Sequence, residues 1–424
     1  MRLLLISYYH EKLPGSPVQR CDRMARFLRA KGHEVSLLGG THAGDRLDDP
    51  ALLEIHDPSF NLRRSGIRKL SWLARRLGLE ALNRLGVYAS MYGSWKRRVL
   101  GLADKIVAAG RPQAVIASYP PVEDLEIGLR LARHLRIPLV ADFRDGLLFE
   151  AIESVRLRRF ACVRRAYAAL EQEIAAVSDA LTTVSQPLSE YFRRTYGHAR
   201  VRTVPNGFDP GDAAAPLPAI TLESGCFHVV HSGRFALSDA GCDIAPLVGA
   251  LEALLAERPP LAARLRIHLL GRLSRRERRM LSPLVRRGVV RLHGQVDRPQ
   301  ARAFQRRADL LLLVTSPSRS SVATTKLFEY LQARRPVLAL TEKSFASEIV
   351  EKTRCGWVVP PQSARQIREA FERLLDDPAW SQRLDLTPQV VSSYSFTVSM
   401  VPLGKLLRAI EKEGAEPGPP RGSP

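Results

Sequence analysis

The pattern that most limits the fold is an alternation of short apolar runs with longer helix-forming segments, and it occurs twice. LLLIS at 3–7, AVIASY at 114–119, PLVAD at 138–142 and LTTVS at 181–185 are separated by segments of helical spacing near 18–31, 122–135 and 156–176. Continuous apolar runs joined by helices predict parallel strands buried on both faces. The alternation breaks at the turn cluster Pro205, Asn206, Gly207 and Pro210, and a linker-like DAAAPLPAI follows. It restarts with FHVVHS, RIHLLG, VVRLHG, DLLLLVTS, PVLAL and GWVVPP. The sequence therefore predicts two α/β domains, residues 1–198 and 199–390, with parallel sheets facing across a cleft. A helical segment at 391–413, returning to the first domain, and a disordered tail at 414–424 complete the reading.

Composition excludes several classes. Hydrophobic residues make up 45% of 424, enough for two packed cores. No apolar run is long enough to span a bilayer, and LLLIS is too short for a secretion signal, so a cytoplasmic protein is expected. The five cysteines form no C-x-x-C pair and no metal-ligand spacing, and are expected to be reduced core thiols. The formal charge of +21 calls for a polyanionic partner, although 54 of the 64 basic residues are arginine, a skew that a GC-rich genome alone would produce. There is no G-x-x-x-x-G-K-[ST] loop and no convincing G-x-G-x-x-G, which argues against a P-loop NTPase and an ordinary dinucleotide oxidoreductase.

The stretch SSVATTKLFEY at 320–330 follows the buried run LLLLVTSP and opens a helix. Thr324 and Thr325 are good cap residues, the small residues before them allow close approach, and a helix start binds anions. Lys326 is a cation where the helix dipole disfavours one, which an anionic ligand would compensate. Glu329 lies on the same face and suits a pair of ribose hydroxyls; an exposed helix with a local Lys–Glu pair is the plainer alternative. HSGRF places Gly233 and Arg234 at another strand end, where a guanidinium fork can reach a diphosphate, or simply lie on the surface. HGQV ends a further strand and presents backbone groups near Val296.

Taken together these motifs resemble a family, the retaining glycosyltransferases of family 4, over nearly the whole chain and in the same order. The pieces that carry the resemblance are YYHEKLPGSPVQRCDRMARFLRAKGHEVSLL, ASYPP, PLVADFRD, ALTTVSQPL, VPNGFD, KLFEYLQARRPVLAL and CGWVVPP, with KLFEYL the most specific. The resemblance implies the GT-B fold, two Rossmann-like domains, the first on the acceptor side and the second on the donor side. It also implies transfer from a UDP- or GDP-linked sugar without a cofactor or bound metal, to a lipid-linked or polysaccharide acceptor of the bacterial cell envelope. By the same resemblance Arg234 and Lys326 meet the donor diphosphate, Glu329 the ribose, and Val296 the base. Gly233, Thr325 and Leu327 line the donor site, and Gly15 with Ser16 forms the N-terminal donor loop. Arg144 stands where many members carry a histidine near the reacting sugar, followed by Asp145. The family's first glutamate would fall at Ser321, and no second basic residue follows Arg234 in FALSDAGC. The serine keeps open a catalytically inactive scaffold; an epimerase on the same fold is a further alternative.

The segment RRSGIRKLSWLARRLGLEALNRL at 63–85 carries Ile67, Leu70, Ala74, Leu77 and Ala81 at helical spacing, flanked by arginines and Lys69. Such a basic amphipathic helix suits an anionic membrane surface, here the inner face of the plasma membrane, or is a solvated domain helix. RRERRMLSPLVRRGVVR at 275–291 reads mainly as a solvated face. Few aromatics lie near either basic run, so a nucleic-acid partner is not expected.

Overall fold

The computed structural model describes residues 1–13, 18–58, 66–151, 153–236, 241–317, 319–377, 379–380, 384 and 388–415. It divides into two compact units, Met1–Pro205 with Met400–Pro424, and Asn206–Ser399.

The first unit holds a sheet of β1 (Arg2–Ile6), β2 (Glu34–Thr41), β3 (Leu52–His56), β4 (Ala114–Tyr119), β5 (Leu139–Phe143), β6 (Ala180–Thr183) and β7 (Val201–Thr203), ordered β3-β2-β1-β4-β5-β6-β7. All its strand pairs are parallel. Strands β4 and β5 are buried at every position, as continuous apolar runs under two helical layers must be. The strand Val201–Thr203 pairs with β6, Leu181 opposite Val201, so this first sheet runs past the expected division after residue 198. The helical segment expected at 156–176 is two helices, Ser154–Arg159 and Ala161–Val177, interrupted where Phe160 turns extended.

One buried ion pair fixes the centre of this sheet. Arg20, on the helix Val18–Ala30, donates to Asp142 of β5 through Nη2 at 2.7 Å and Nε at 3.0 Å, and to the Val204 carbonyl at 2.9 Å. Asp142 also accepts from Ser118 of β4 and Thr182 of β6, each at 2.7 Å. Burial pushes the Asp142 carboxyl up, but Arg20 and the two hydroxyls outweigh it and hold it below the ordinary carboxylate value. Four elements thus depend on one carboxylate.

The second unit holds β8 (Phe227–Ser232), β9 (Leu265–Leu270), β10 (Val290–Gly294), β11 (Leu310–Val314), β12 (Val337–Leu340) and β13 (Gly356–Val359), ordered β10-β9-β8-β11-β12-β13 and parallel throughout. The helix Arg275–Arg286 is closed at its start by a reciprocal cap, Ser274 with Glu277, and buries Leu281 and Leu284 while its arginines face solvent. Helix Ala364–Asp376 buries Ile367, Phe371, Leu374 and Leu375 at helical spacing. The five cysteines are free, four of them buried. Among the described residues no helix is long and apolar enough to cross a membrane.

Replacing Arg20 by methionine leaves Asp142 charged, buried and unpaired. We expect a loss of about 3–5 kcal/mol in stability, read from urea denaturation, and partial recovery when Asp142 is made asparagine in the same chain.

Candidate functional site

In the second sheet the strand order reverses between β8 and β11, which is where open parallel sheets form a crevice at their C-terminal ends. The two strands pair only through Leu310↔Val229 and Leu311↔Val230, whereas β8 and β9 run in register from Phe227 to Ser232. Past Leu311 side chains bridge the gap. The Leu312 carbonyl takes the Nδ1–H of His231 at 2.9 Å and the hydroxyl of Tyr330 at 3.2 Å, and the Tyr330 oxygen accepts the Ser232 amide at 3.0 Å.

Just above this bridge two glycines pack against each other. Gly233 has φ +110 and Gly271 φ +154, both in territory that favours glycine. A Cβ on Gly271 would stand 2.0 Å from the Gly233 oxygen, and one on Gly233 would stand 2.5 Å from Cε of Lys326. The lysine chain therefore lies directly on bare backbone, and its Nζ donates to the Arg234 carbonyl at 3.0 Å. Burial, together with the charge of Arg234, pushes the half-buried Lys326 ammonium down to about 8.

Lys326 opens the helix Thr325–Ala333, whose N-cap is Thr324. Thr324 makes no side-chain cap, and its Oγ1 is buried without a partner. The Leu327 amide donates back to the Thr324 carbonyl at 3.0 Å, and the Leu327 side chain is fully buried. By position, the amides of Thr325 and Lys326 have no acceptor within their own helix. Ser321 is buried just before this turn.

Glu329, one turn on, faces Arg298, with Nε 3.6 Å from its Oε1. Arg298 begins the helix Arg298–Arg307, directly after the loop carrying Val296, and its Nη2 donates to Asp212 at 2.6 Å. Arg302, one turn further, is 8% exposed with Nη2 buried and unpartnered, and burial lowers its pKa. Sequence reading missed Arg298, Arg302, Asp212 and His231. The i,i+4 spacing of the two arginines behind the Asp297 cap was available, but so many arginines hid it; Asp212 lay in the linker-like stretch.

Of the sequence-predicted residues, the structure brings together Gly233, Arg234, Thr325 and Lys326, with Leu327 and Glu329 on the same helix. Arg144 and Asp145 belong to the first unit. The Arg144 guanidinium is committed to carbonyls, donating through Nε to Tyr119 at 3.2 Å and through Nη2 to Pro120. Asp145 is half-buried beside it. Gly15 and Ser16 lie outside the described residues.

Three imidazoles cross the same sheet. His228 Nε2 is 2.8 Å from the Glu223 carbonyl, His228 Nδ1 is 3.0 Å from His268 Nε2, and His268 Nδ1 is 3.0 Å from His293 Nε2. A carbonyl only accepts, so in the neutral ladder every Nε2 carries the proton and the Nδ1 atoms of His228 and His268 accept. Burial, reinforced by the flanking histidines and arginines, lowers His268 to about 4. Because this base titrates lower when folded, its stabilising contribution is complete above the unfolded value near 6.5 and is lost as pH falls through 4. The wild type should lose up to about 3 kcal/mol across that window, and His268→Gln much less, as measured by urea midpoints at neutral and acidic pH.

Comparison with known proteins agrees with this fold. The family model described as "Glycosyl transferase 4-like domain" matches residues 15–207, and "Glycosyl transferases group 1" matches 226–377. An alpha-D-kanosaminyltransferase of Streptomyces kanamyceticus is 31% identical over 100 residues, which is 23% of this chain and 26% of that protein's length. The alpha,alpha-trehalose 6-phosphate synthase of Burkholderia multivorans superposes with a TM-score of 0.65 at 14% identity, over 98% of this chain and all of the other. Anabaena HepE, solved with UDP, superposes with a TM-score of 0.60 at 16% identity, over 96% of this chain and all of the other. The chain belongs to the GT-B-fold glycosyltransferases, its first unit a glycosyl transferase 4-like domain and its second a glycosyl transferases group 1 domain.

Proposed function

We propose that this chain transfers a sugar from a nucleoside diphosphate, UDP- or GDP-linked, to a lipid-linked or glycan acceptor in cell-envelope polysaccharide assembly, with retention at the anomeric carbon. The observation that carries the donor reading is Lys326 lying across Gly233 beside Arg234, at a helix start in the crevice of the second sheet. Breaking the bond from sugar C1 to the diphosphate oxygen leaves negative charge on the departing group. Lys326, Arg234 and the amides of Thr325 and Lys326 are fixed donors where that charge grows, so they lower the barrier without reorganising. Glu329, steadied by Arg298, takes the ribose hydroxyls, and the backbone at Val296 takes the base. HepE bound to UDP supports a nucleotide donor. In the first unit, Arg144 and Asp145 are the groups assigned to the reacting sugar and Gly15 with Ser16 the donor loop, an assignment that rests on the sequence resemblance. Retention and the envelope pathway rest on the same ground.

The acceptor side carries a surface suited to lipid. Leu77, Leu82, Leu85, Val87 and Val155 are exposed, Leu85 to 79%, amid exposed Arg76, Arg84, Arg158 and Arg159. The helices Gly66–Arg84 and Ser154–Arg159 that carry most of them are joined by Arg159 to Glu80 at 3.4 Å, and Arg156 donates to the carbonyl of Ala89, in the loop after the first helix, at 2.5 Å. Apolar side chains within a basic field fit peripheral docking on the anionic inner face of the plasma membrane.

Thermal stability measured with UDP, GDP, ADP and CDP should rise selectively with UDP or GDP; stabilisation by none of them, with no transfer from any sugar nucleotide, refutes the donor reading. Lys326→Ala should lower turnover on the order of 100-fold or more with unfolding unchanged, and Gly233→Ala should do the same by displacing the lysine. The protein should sediment with phosphatidylserine vesicles at low salt and be released at high salt, and Leu85→Glu should abolish the binding.

A further inference from the structure

The floor of the crevice contains a group that the donor reading leaves unused. His231 is fully buried, and its Nδ1–H is committed to the Leu312 carbonyl. That fixes Nε2 as the lone-pair nitrogen, and Nε2 is buried without a partner. Leaving such an acceptor empty in the interior costs about 1–3 kcal/mol, so an occupant is expected in some state of the molecule. The ring lies flat on Phe235, with centroids 4.0 Å apart and planes at 17°, which closes the turn Ser232–Phe235 that projects Arg234. Burial first, and the charge of Lys326 second, keep the imidazole neutral, and Lys326 lies against Gly233, two residues along the same strand end from His231.

We propose that His231 is the positioning residue of the clamp: its Nε2 accepts an ammonium N–H of Lys326 when a donor diphosphate is bound. The proposal rests on the donor-site reading above and names how that site is regulated internally. An ammonium has three N–H groups. One goes to the Arg234 carbonyl, the second to His231 Nε2, and the third to a phosphate oxygen. This division fixes the direction of the third and keeps the lysine charged in a place where burial opposes its charge. The titratable groups facing Lys326 are His231 from β8, Arg234 from the following turn, Cys242 from the segment before the helix Ala245–Glu257, and Glu329 from its own helix. Arg234 disfavours the ammonium, Glu329 favours it, Cys242 would do so only as the thiolate, and His231 offers the neutral acceptor.

The test is the pH dependence of UDP and GDP binding, followed by calorimetry in wild type, His231→Phe and His231→Gln. Phenylalanine keeps the stack on Phe235 and removes the acceptor; glutamine returns an amide oxygen near the position of Nε2. Wild-type affinity should fall above pH 8, where Lys326 loses its proton. In His231→Phe the affinity below pH 8 should be about tenfold weaker, the difference closing at higher pH as the lysine loses its proton, and His231→Gln should restore it. Superimposable wild-type and His231→Phe profiles would overturn the inference and leave His231 a packing residue. Failure of both nucleotides to bind wild type would instead overturn the donor reading. Should His231→Phe not fold, nitrogen NMR of the wild-type histidines decides: the Nε2 resonance of His231 must move when UDP or GDP is added, and an unmoved resonance refutes the proposal.

Discussion

The second unit of this molecule depends on a contact between a long side chain and a backbone that has none. Lys326 reaches the Arg234 carbonyl only because Gly233 and, beneath it, Gly271 leave their Cβ positions vacant. Everything else at the site follows from that approach. The helix Thr325–Ala333 can bring its first turn close to β8, Tyr330 one turn later can reach under to hold Ser232 and Leu312, and the strands can part without leaving those groups bare. The parting of β8 and β11 is what makes a crevice, and the side chains that repair it are the ones that shape its floor.

Much of this was legible from the sequence. Parallel sheets were readable because continuous apolar runs such as DLLLLV and AVIASY have one stable use, burial between helical layers. Gly233, Arg234, Lys326 and Glu329 were readable as a group because they stand at a strand end or on the first two turns of one helix, where residue type and position speak about ligands together. What stayed hidden depends on contacts across the sheet. Nothing in FHVVHS tells which histidine lies among imidazoles and which faces a lysine: His228 joins the ladder to His268, and His231 stacks on Phe235. The Arg20–Asp142 pair was equally silent, since its partners stand on four separate elements. The limit between the units was misplaced for the same reason, because only pairing with β6 assigns Val201–Thr203 to the first sheet.

The basic composition gains a different meaning once arginines are placed. Several are buried and serve the fold: Arg20 holds a carboxylate and a carbonyl, Arg144 ties down carbonyls after β4, and Arg302 lies buried on the helix Arg298–Arg307. Others form exposed pairs, such as Arg98 with Asp45 and Arg200 with Glu413, worth little individually. The charge that remains for a partner is therefore less than the composition gives. Its informative part is local, the arginines standing beside exposed leucines near the end of the helix Gly66–Arg84.

Against that background the lysine at 326 carries information. Where most basic positions are arginine, this one is not, and the geometry explains why. The gap above Gly233 admits a slim methylene chain, Cε standing where any Cβ would clash, whereas a planar guanidinium needs width. An ammonium also directs its three N–H groups apart, which suits the Arg234 carbonyl together with the imidazole nitrogen and phosphate proposed above; a guanidinium directs all its donors within one plane. Lysine further loses its charge near pH 8 in this setting, so that charge is strengthened by an arriving anion and weakened when the anion leaves. On the function proposed above, a clamp that releases a nucleoside diphosphate after each transfer benefits from that reversibility, and a permanently charged arginine would not provide it.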